Sequence, residues 1–160
     1  MSLAGIGLFS YRSLKRLPNQ IVYFVVSEDN NFSLKAVARI SKANNLKDNL
    51  IDATKSLIIG PNSSEKAQGL ATSFPQDTQL LGLKINADEV TVDFSNEFLS
   101  PQGISASTGL LNQVFYSLSQ PKSIDKVKIF VDGSPLNYIG GEGIVVEQPW
   151  IRISDKLPKW

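Results

Sequence analysis

The sequence predicts an α+β fold: a two-layer sandwich in which two helices pack on one face of a mostly antiparallel sheet. Three observations carry that reading. Strand-like and helix-like stretches follow in the order strand, strand, helix, hairpin, helix, strand, closing hairpin. Helical stripes need a sheet face to bury against. Two of the joints between strands are short and polar, as tight hairpins require. Apolar residues make up 42% and charged residues 19% of 160 residues, a globular composition in a chain long enough to build one core without disulfides or metals.

Gln20 to Val26 holds the run Ile21-Val22-Tyr23-Phe24-Val25-Val26. It is rich in β-branched and aromatic residues, and reads as a strand buried on both faces. The polar cluster from Ser27 to Asn31 turns the chain. Phe32, Leu34, Ala36, Ala38 and Ile40 then alternate with Ser33, Lys35, Val37 and Arg39. The period of two predicts a second strand, its first set inward and its partly basic set outward. Asn44 or Asn45 is placed to cap a helix over about residues 45–59, with Asp48 in its first turn and Gly60-Pro61 as its stop. Leu46, Leu50, Ile51, Leu57 and Ile58 recur at helical spacing along it.

Residues 62–74 read as a loop or short helix before Pro75. Leu81, Leu83 and Ile85 make one strand face and Val90, Val92 and Phe94 the next, joined by Asn86-Ala87-Asp88. Leu110, Leu111, Val114, Phe115 and Leu118 form the stripe of a second helix, about 106–119, for which Ser105-Ala106-Ser107-Thr108 supplies the cap. Val127, Ile129 and Val131 are a further strand, and Leu136 to Tyr138 is expected to pair back across the Asp132-Gly133 turn. Ile144-Val145-Val146 completes the set. The domain is thus placed at 20–147, after a leader (1–19) and before a C-terminal tail (148–160) without periodicity. Within the leader, Ala4 to Phe9 is apolar and is followed by Tyr11, Arg12, Lys15 and Arg16. That is too short to cross a bilayer. It reads as the remnant of a membrane anchor or as an ordinary arm.

Sixteen basic residues balance fifteen acidic ones, for a formal net charge of +1. Nucleic-acid binding rests on a positive footprint, so no nucleic-acid partner is expected. Cysteine and histidine are both absent. That removes thiol nucleophiles, thiolate metal sites, the commonest general base and the commonest transition-metal ligand. No catalytic residue, metal site or cofactor is assigned, and no small-molecule substrate is expected.

Several constellations have a functional and a plain reading. Glu89, Thr91 and Asp93 share one strand face, which suggests paired carboxylates for a hydrolase, but alternate residues of a half-exposed strand are ordinarily polar. Lys35, Arg39 and Lys42 suggest a basic patch, against a strand edge guarded by charge. Tyr138, Trp150 and Trp160 suggest stacking platforms for cell-wall glycan, against packing on the sheet edge. Gly140-Gly141-Glu142-Gly143 has no helix after it, so it reads as a turn needing positive φ and not as a phosphate loop. These four residues are the candidate interaction surface, because a glycine-rich turn lets another backbone approach closely.

A set of local strings, taken in order, resembles a known family. They are Leu57-Ile58-Ile59-Gly60-Pro61, Glu65, Gly69-Leu70, Phe74-Pro75 and Thr78-Gln79-Leu80-Leu81. Then come Val90 to Ser95 with Glu97-Phe98, Gln113 to Leu118, and Val131-Asp132-Gly133. Over about residues 20–149 the chain is similar to the GerMN domain of spore-germination and other bacterial envelope proteins. The segment Leu136 to Pro149 looks most like cyanobacterial members. The resemblance implies a non-enzymatic α+β domain, extracytoplasmic and held at the membrane by an anchor or lipid. It also implies a role in protein–protein interaction, with a partner or with its own copies. It transfers no catalytic residue.

Overall fold

The structure, a computed structural model, describes residues 18–160. The anchor expectation and all of the 1–19 leader but Pro18 and Asn19 fall on residues 1–17, outside that range. The elements are β1 (Gln20–Glu28), β2 (Asn31–Arg39), α1 (Leu46–Ile59), α2 (Ser63–Ala67), β3 (Leu70–Ala71), β4 (Leu80–Asn86) and β5 (Glu89–Phe94). A short 3-10 turn (Asn96–Leu99) leads to α3 (Ile104–Leu118), followed by β6 (Lys126–Val131), β7 (Ser134–Pro135), β8 (Tyr138–Ile139), β9 (Ile144–Val145) and β10 (Trp150–Ile151).

The class is α+β, and the strands divide into a sheet β2-β1-β3, a sheet β10-β6-β5-β4 with β7 on β6, and the hairpin β8-β9. Among the pairings of the described residues only β5–β6 is parallel. Val90, Val92, Phe94, Val127, Ile129 and Val131 on one face of β5 and β6 share a core with Leu50 and Leu57 of α1 and Leu110, Val114 and Leu118 of α3. Both helical stripes therefore bury on the same apolar face, while Glu89, Thr91 and Asp93 stay half-buried on the other. At the heart of the core Phe94 and Phe98 stack with centroids 4.4 Å apart, and Phe74 meets both edge-on.

β1 is buried on both faces as the sequence requires. Val22 and Phe24 join the main core, and Tyr23 and Val25 join a second cluster with Leu34, Leu157 and Trp160. The stretch of its edge that β3 does not pair is closed by a helix. Gln113 of α3, wholly buried, donates from Nε2 to the Tyr23 carbonyl (3.1 Å) and accepts the Ser73 N–H (2.6 Å). Ser117 Oγ accepts the Tyr23 N–H at 3.0 Å.

Asn45 caps α1 by accepting the Asp48 N–H at 2.9 Å, and Gly60 ends it at φ 84°. The stretch after it begins with α2, whose Asn62 and Glu65 exchange the two bonds of a capping box.

Four local expectations are corrected. In β2 the expected faces hold only in its first half, where Leu34 is buried and Lys35 exposed; further on, register sets Val37 and Arg39 opposite Val22 and Gln20 on the main-core side, while Ala36 and Ala38 are exposed. Leu81 faces out, 50% exposed, because a register shift between Leu80 and Gly82 turns it from the face of Leu83. α3 starts at Ile104 with Gly103 at its cap and no capping side chain; Ser107 lies inside the helix and donates back to the Gly103 carbonyl at 3.0 Å. Across the Asp132-Gly133 turn the Leu136 N–H does reach back to the Ile129 carbonyl at 2.9 Å, but the ladder with β6 is made by Ser134–Pro135, and Tyr138 pairs instead with Val145.

Residues 148–160 are packed onto the domain. Gln148 accepts the Ile129 N–H (2.6 Å) and donates to the carbonyls of Ile129 and Leu136 (3.0 and 2.5 Å), and Trp150 pairs with Val127. Trp160 exchanges both backbone bonds with Phe32 and stacks on its ring at 6.2 Å.

Candidate functional site

The candidate surface is the β8–β9 hairpin. Gly140 and Gly143 adopt φ 75° and 68°, and the Gly143 N–H closes the turn on the Gly140 carbonyl at 3.1 Å. This is the left-handed backbone that the glycine pattern called for. The hairpin is fastened beneath by Leu136, Ile139 and Val146, all buried, and by the Val146 N–H on the Asn137 carbonyl at 2.9 Å. Gly140 also abuts α3, where a Cβ would sit 2.6 Å from Ser107 Oγ. Gly141 faces open space, and Gly141, Glu142 and Gly143 are exposed.

The strands beside that turn carry an apolar pair. Tyr138 and Val145 lie directly opposite each other and are 64% and 63% exposed. A shallow depression of about 270 Å³ next to them is lined by Leu99, Pro135, Leu136 and Tyr138. Ile104, also exposed, stands one turn before Ser107 on the helix that Gly140 touches. A large aromatic and a β-branched residue, both turned to water at a fixed, hydrogen-bonded hairpin, form an exposed apolar face.

The other sequence candidates come apart. Glu89 is paired with Lys128 at 3.0 Å, and Asp93 accepts the Gly133 N–H at 3.1 Å, so the two carboxylates serve different neighbours. Among the described residues no three acidic side chains gather as a metal site. Arg39 is not part of a basic patch: it makes a bidentate pair with Glu65 at 2.5 and 2.7 Å and lies over the Phe24 ring. That guanidinium, ahead of the Asn62 N–H, holds the Glu65 carboxyl below its ordinary value. Lys126 does the same for Asp88, and the Ser95 hydroxyl for Glu97. Trp150 stacks on Phe115 at 4.9 Å, and burial raises the pKa of the neighbouring Tyr116. Of the three proposed stacking rings, Tyr138 is the one largely exposed.

Sequence reasoning missed Arg152 altogether. It lies beyond the last periodic element, and no spacing rule links it to the end of α3. It also missed what Gln113 does, since one glutamine in a helical stripe gives no sign that it faces a strand edge.

A family model described as "Germane: Sporulation and spore germination" matches residues 21–137. Among solved structures the fold is similar to the tandem GerMN domains of the sporulation protein GerM from Bacillus subtilis, with TM-score 0.65 and 20% identity. That match covers 82% of this chain and 46% of that one, so the chain spans less than half of the tandem structure. The first GerMN domain of the same protein matches with TM-score 0.65 and 18% identity, over 85% of this chain and all of that one. A protein described as a lipoprotein from Clostridium perfringens matches with TM-score 0.56 and 24% identity, over 82% and 85% of the two chains. No curated protein sequence matches the chain.

Proposed function

The chain belongs to the sporulation and spore germination family whose model spans residues 21–137, and from that premise we propose a non-enzymatic interaction domain that docks a protein at the bacterial cell envelope. The observation that carries this reading is the exposed Tyr138–Val145 pair beside the Gly140–Gly143 turn. Exposed Leu99 and Ile104 extend the same apolar character around it. The occupant is a protein surface, from a different partner or a second copy, that is apolar at its centre. An apolar ring and a flat backbone turn suit such a contact, and offer nothing to polarise or cleave a substrate. The proposed location is outside the cytoplasmic membrane, with the domain tethered through a segment preceding it. No helix among the described residues is long and apolar enough to cross a bilayer. Tethering raises effective concentration, so a weak contact suffices.

The test is crosslinking of the membrane-tethered protein in cells. Gly141→Trp adds bulk in open space without forcing the fold, and Tyr138→Asp removes the apolar anchor. Both are expected to abolish the crosslink while the purified variants keep wild-type melting. Wild-type crosslinking in both folded variants would refute the hairpin as the contact.

A further inference from the structure

At the far end of α3 from the hairpin lies a cavity of about 560 Å³, whose lining includes Arg152, Lys122, Asp125, Asp155, Ser119 and Tyr23. Its size is in the range of small-molecule sites. Arg152 is the most buried of the charged groups, with 15% of its side chain exposed. Its Nη1 donates to the carbonyls of Tyr116 (3.4 Å) and Ser119 (3.2 Å) and to Ser119 Oγ (3.2 Å), and its guanidinium lies over the Tyr116 ring. One corner of the guanidinium thus serves the carbonyl end of α3 and fixes the plane of the whole group.

The Nε edge is left over. Nε is buried and makes no hydrogen bond among the described residues. Asp155 Oδ1 stands 3.3 Å away, within ion-pair reach but without hydrogen-bond alignment, on a side chain that is 99% exposed. A guanidinium held in one plane offers that edge, met only by the loose Asp155 ion pair, as the fork by which arginine grips a carboxylate. Asp155 occupies it loosely, as a ligand carboxylate would occupy it well.

The remaining charges narrow the ligand. Lys122 adds a second cation; Asp125 is exposed and has no ion-pair partner among the described residues. A simple anion would meet Asp125 and the negative end of the α3 dipole. A simple cation would meet Arg152 and Lys122. We propose that the cavity binds a small zwitterion, of the class of a free amino acid or dipeptide, its carboxylate on the Nε edge of Arg152 and its ammonium facing Asp125. The hairpin reading and this one stand apart, since they use opposite ends of α3.

The experiment is an NMR titration of the full chain with L-alanyl-L-alanine, its N-acetylated form and its C-amidated form. Shifts are expected at Ser119, Asp125 and Arg152. The free dipeptide should bind about tenfold more tightly than either capped form, the effect of one lost charge-assisted contact. Arg152→Lys keeps a cation but removes the fork, and should weaken the dipeptide by at least about tenfold. Should that variant fail to fold, Lys122→Ala and Asp125→Asn, both at exposed positions, decide the matter, each weakening binding severalfold. Absence of localised shifts up to the dipeptide's solubility limit would overturn the proposal. So would capped forms that bind as well as the free one, or affinity indifferent to both exposed-site variants.

Discussion

The part of the β1 edge left unpaired by β3 and the β8–β9 hairpin meet opposite fates on the same helix. Against the middle of α3, β1 presents backbone groups that no strand pairs at Tyr23. A buried glutamine and a serine satisfy them, with Gln113 bonded to both Tyr23 and Ser73. Against the first turn of α3, the hairpin presents Tyr138 and Val145, and among the described residues nothing covers them. The fold thus commits buried polar side chains to seal the edge its core depends on. It leaves large apolar side chains in water at a hairpin that is fastened from beneath. A difference of that kind separates surface that serves stability from surface available to a partner.

Gln113→Leu is the strongest way to break that comparison. The leucine fits the space but leaves the buried Tyr23 carbonyl and the part-buried Ser73 N–H without their partner, at about 1–3 kcal/mol for the first and less for the second. A loss of about 2–4 kcal/mol in chemical denaturation is expected, comparable with the roughly 3–5 kcal/mol for Phe115→Ala in the neighbouring core. A Gln113→Leu variant of wild-type stability would mean that the edge needs no seal. Gln148→Ala asks the same of β6, where the side chain bridges Ile129 and Leu136 from a half-buried position. About 1–2 kcal/mol is expected there, because water can reach part of the gap.

The Arg39–Glu65 pair sharpens the contrast through pH. Its carboxyl is held below the ordinary value near 4.5, chiefly by the Arg39 guanidinium. A depressed folded value means that the pair's contribution is fully present above the unfolded value. It is lost as pH falls through the folded value. Acid denaturation followed by circular dichroism should therefore show a loss of stability below about pH 4.5 that is smaller in Arg39→Ala. An identical acid limb in wild type and variant would remove the pair from the account.

The order of the long strands and helices from β1 to β6, the two buried helical stripes, the Asn45 and Gly60 caps and the glycine turn at residues 140–143 were legible, because each follows from local periodicity or local backbone chemistry. What was not legible depends on partners distant in sequence. Alternation in β2 marks a strand but does not say which face is inward. The alanines at 36 and 38 are small enough to be left out, while Arg39 buries its stem and sends its head to Glu65. Leu81 was misplaced by a bulge that the apolar pattern does not encode. The tail lacks periodicity because it is held by single contacts, Gln148 on β6, Trp150 on Phe115 and Trp160 on Phe32, and not by a repeating face. Arg152 was invisible for the same reason, being defined by carbonyls at the end of a helix more than thirty positions away.

The smallest expected effect on stability bears most directly on the hairpin. Tyr138 is 64% exposed, and its removal empties no core space. Tyr138→Ser should change unfolding free energy by less than about 0.5 kcal/mol, the ordinary scale for a surface position. Glu89→Ala, which gives up a half-exposed ion pair with Lys128, should cost no more than about 1 kcal/mol. The two differ in what else they do. If the hairpin is the docking face, Tyr138→Ser should weaken the crosslink in cells as Tyr138→Asp does, while Glu89→Ala, on the polar face of the other sheet, should leave it intact. Measured together, a marked stability loss in Tyr138→Ser would show that the ring belongs to the fold after all, and the contrast between the sealed edge and the open hairpin would fail at that point.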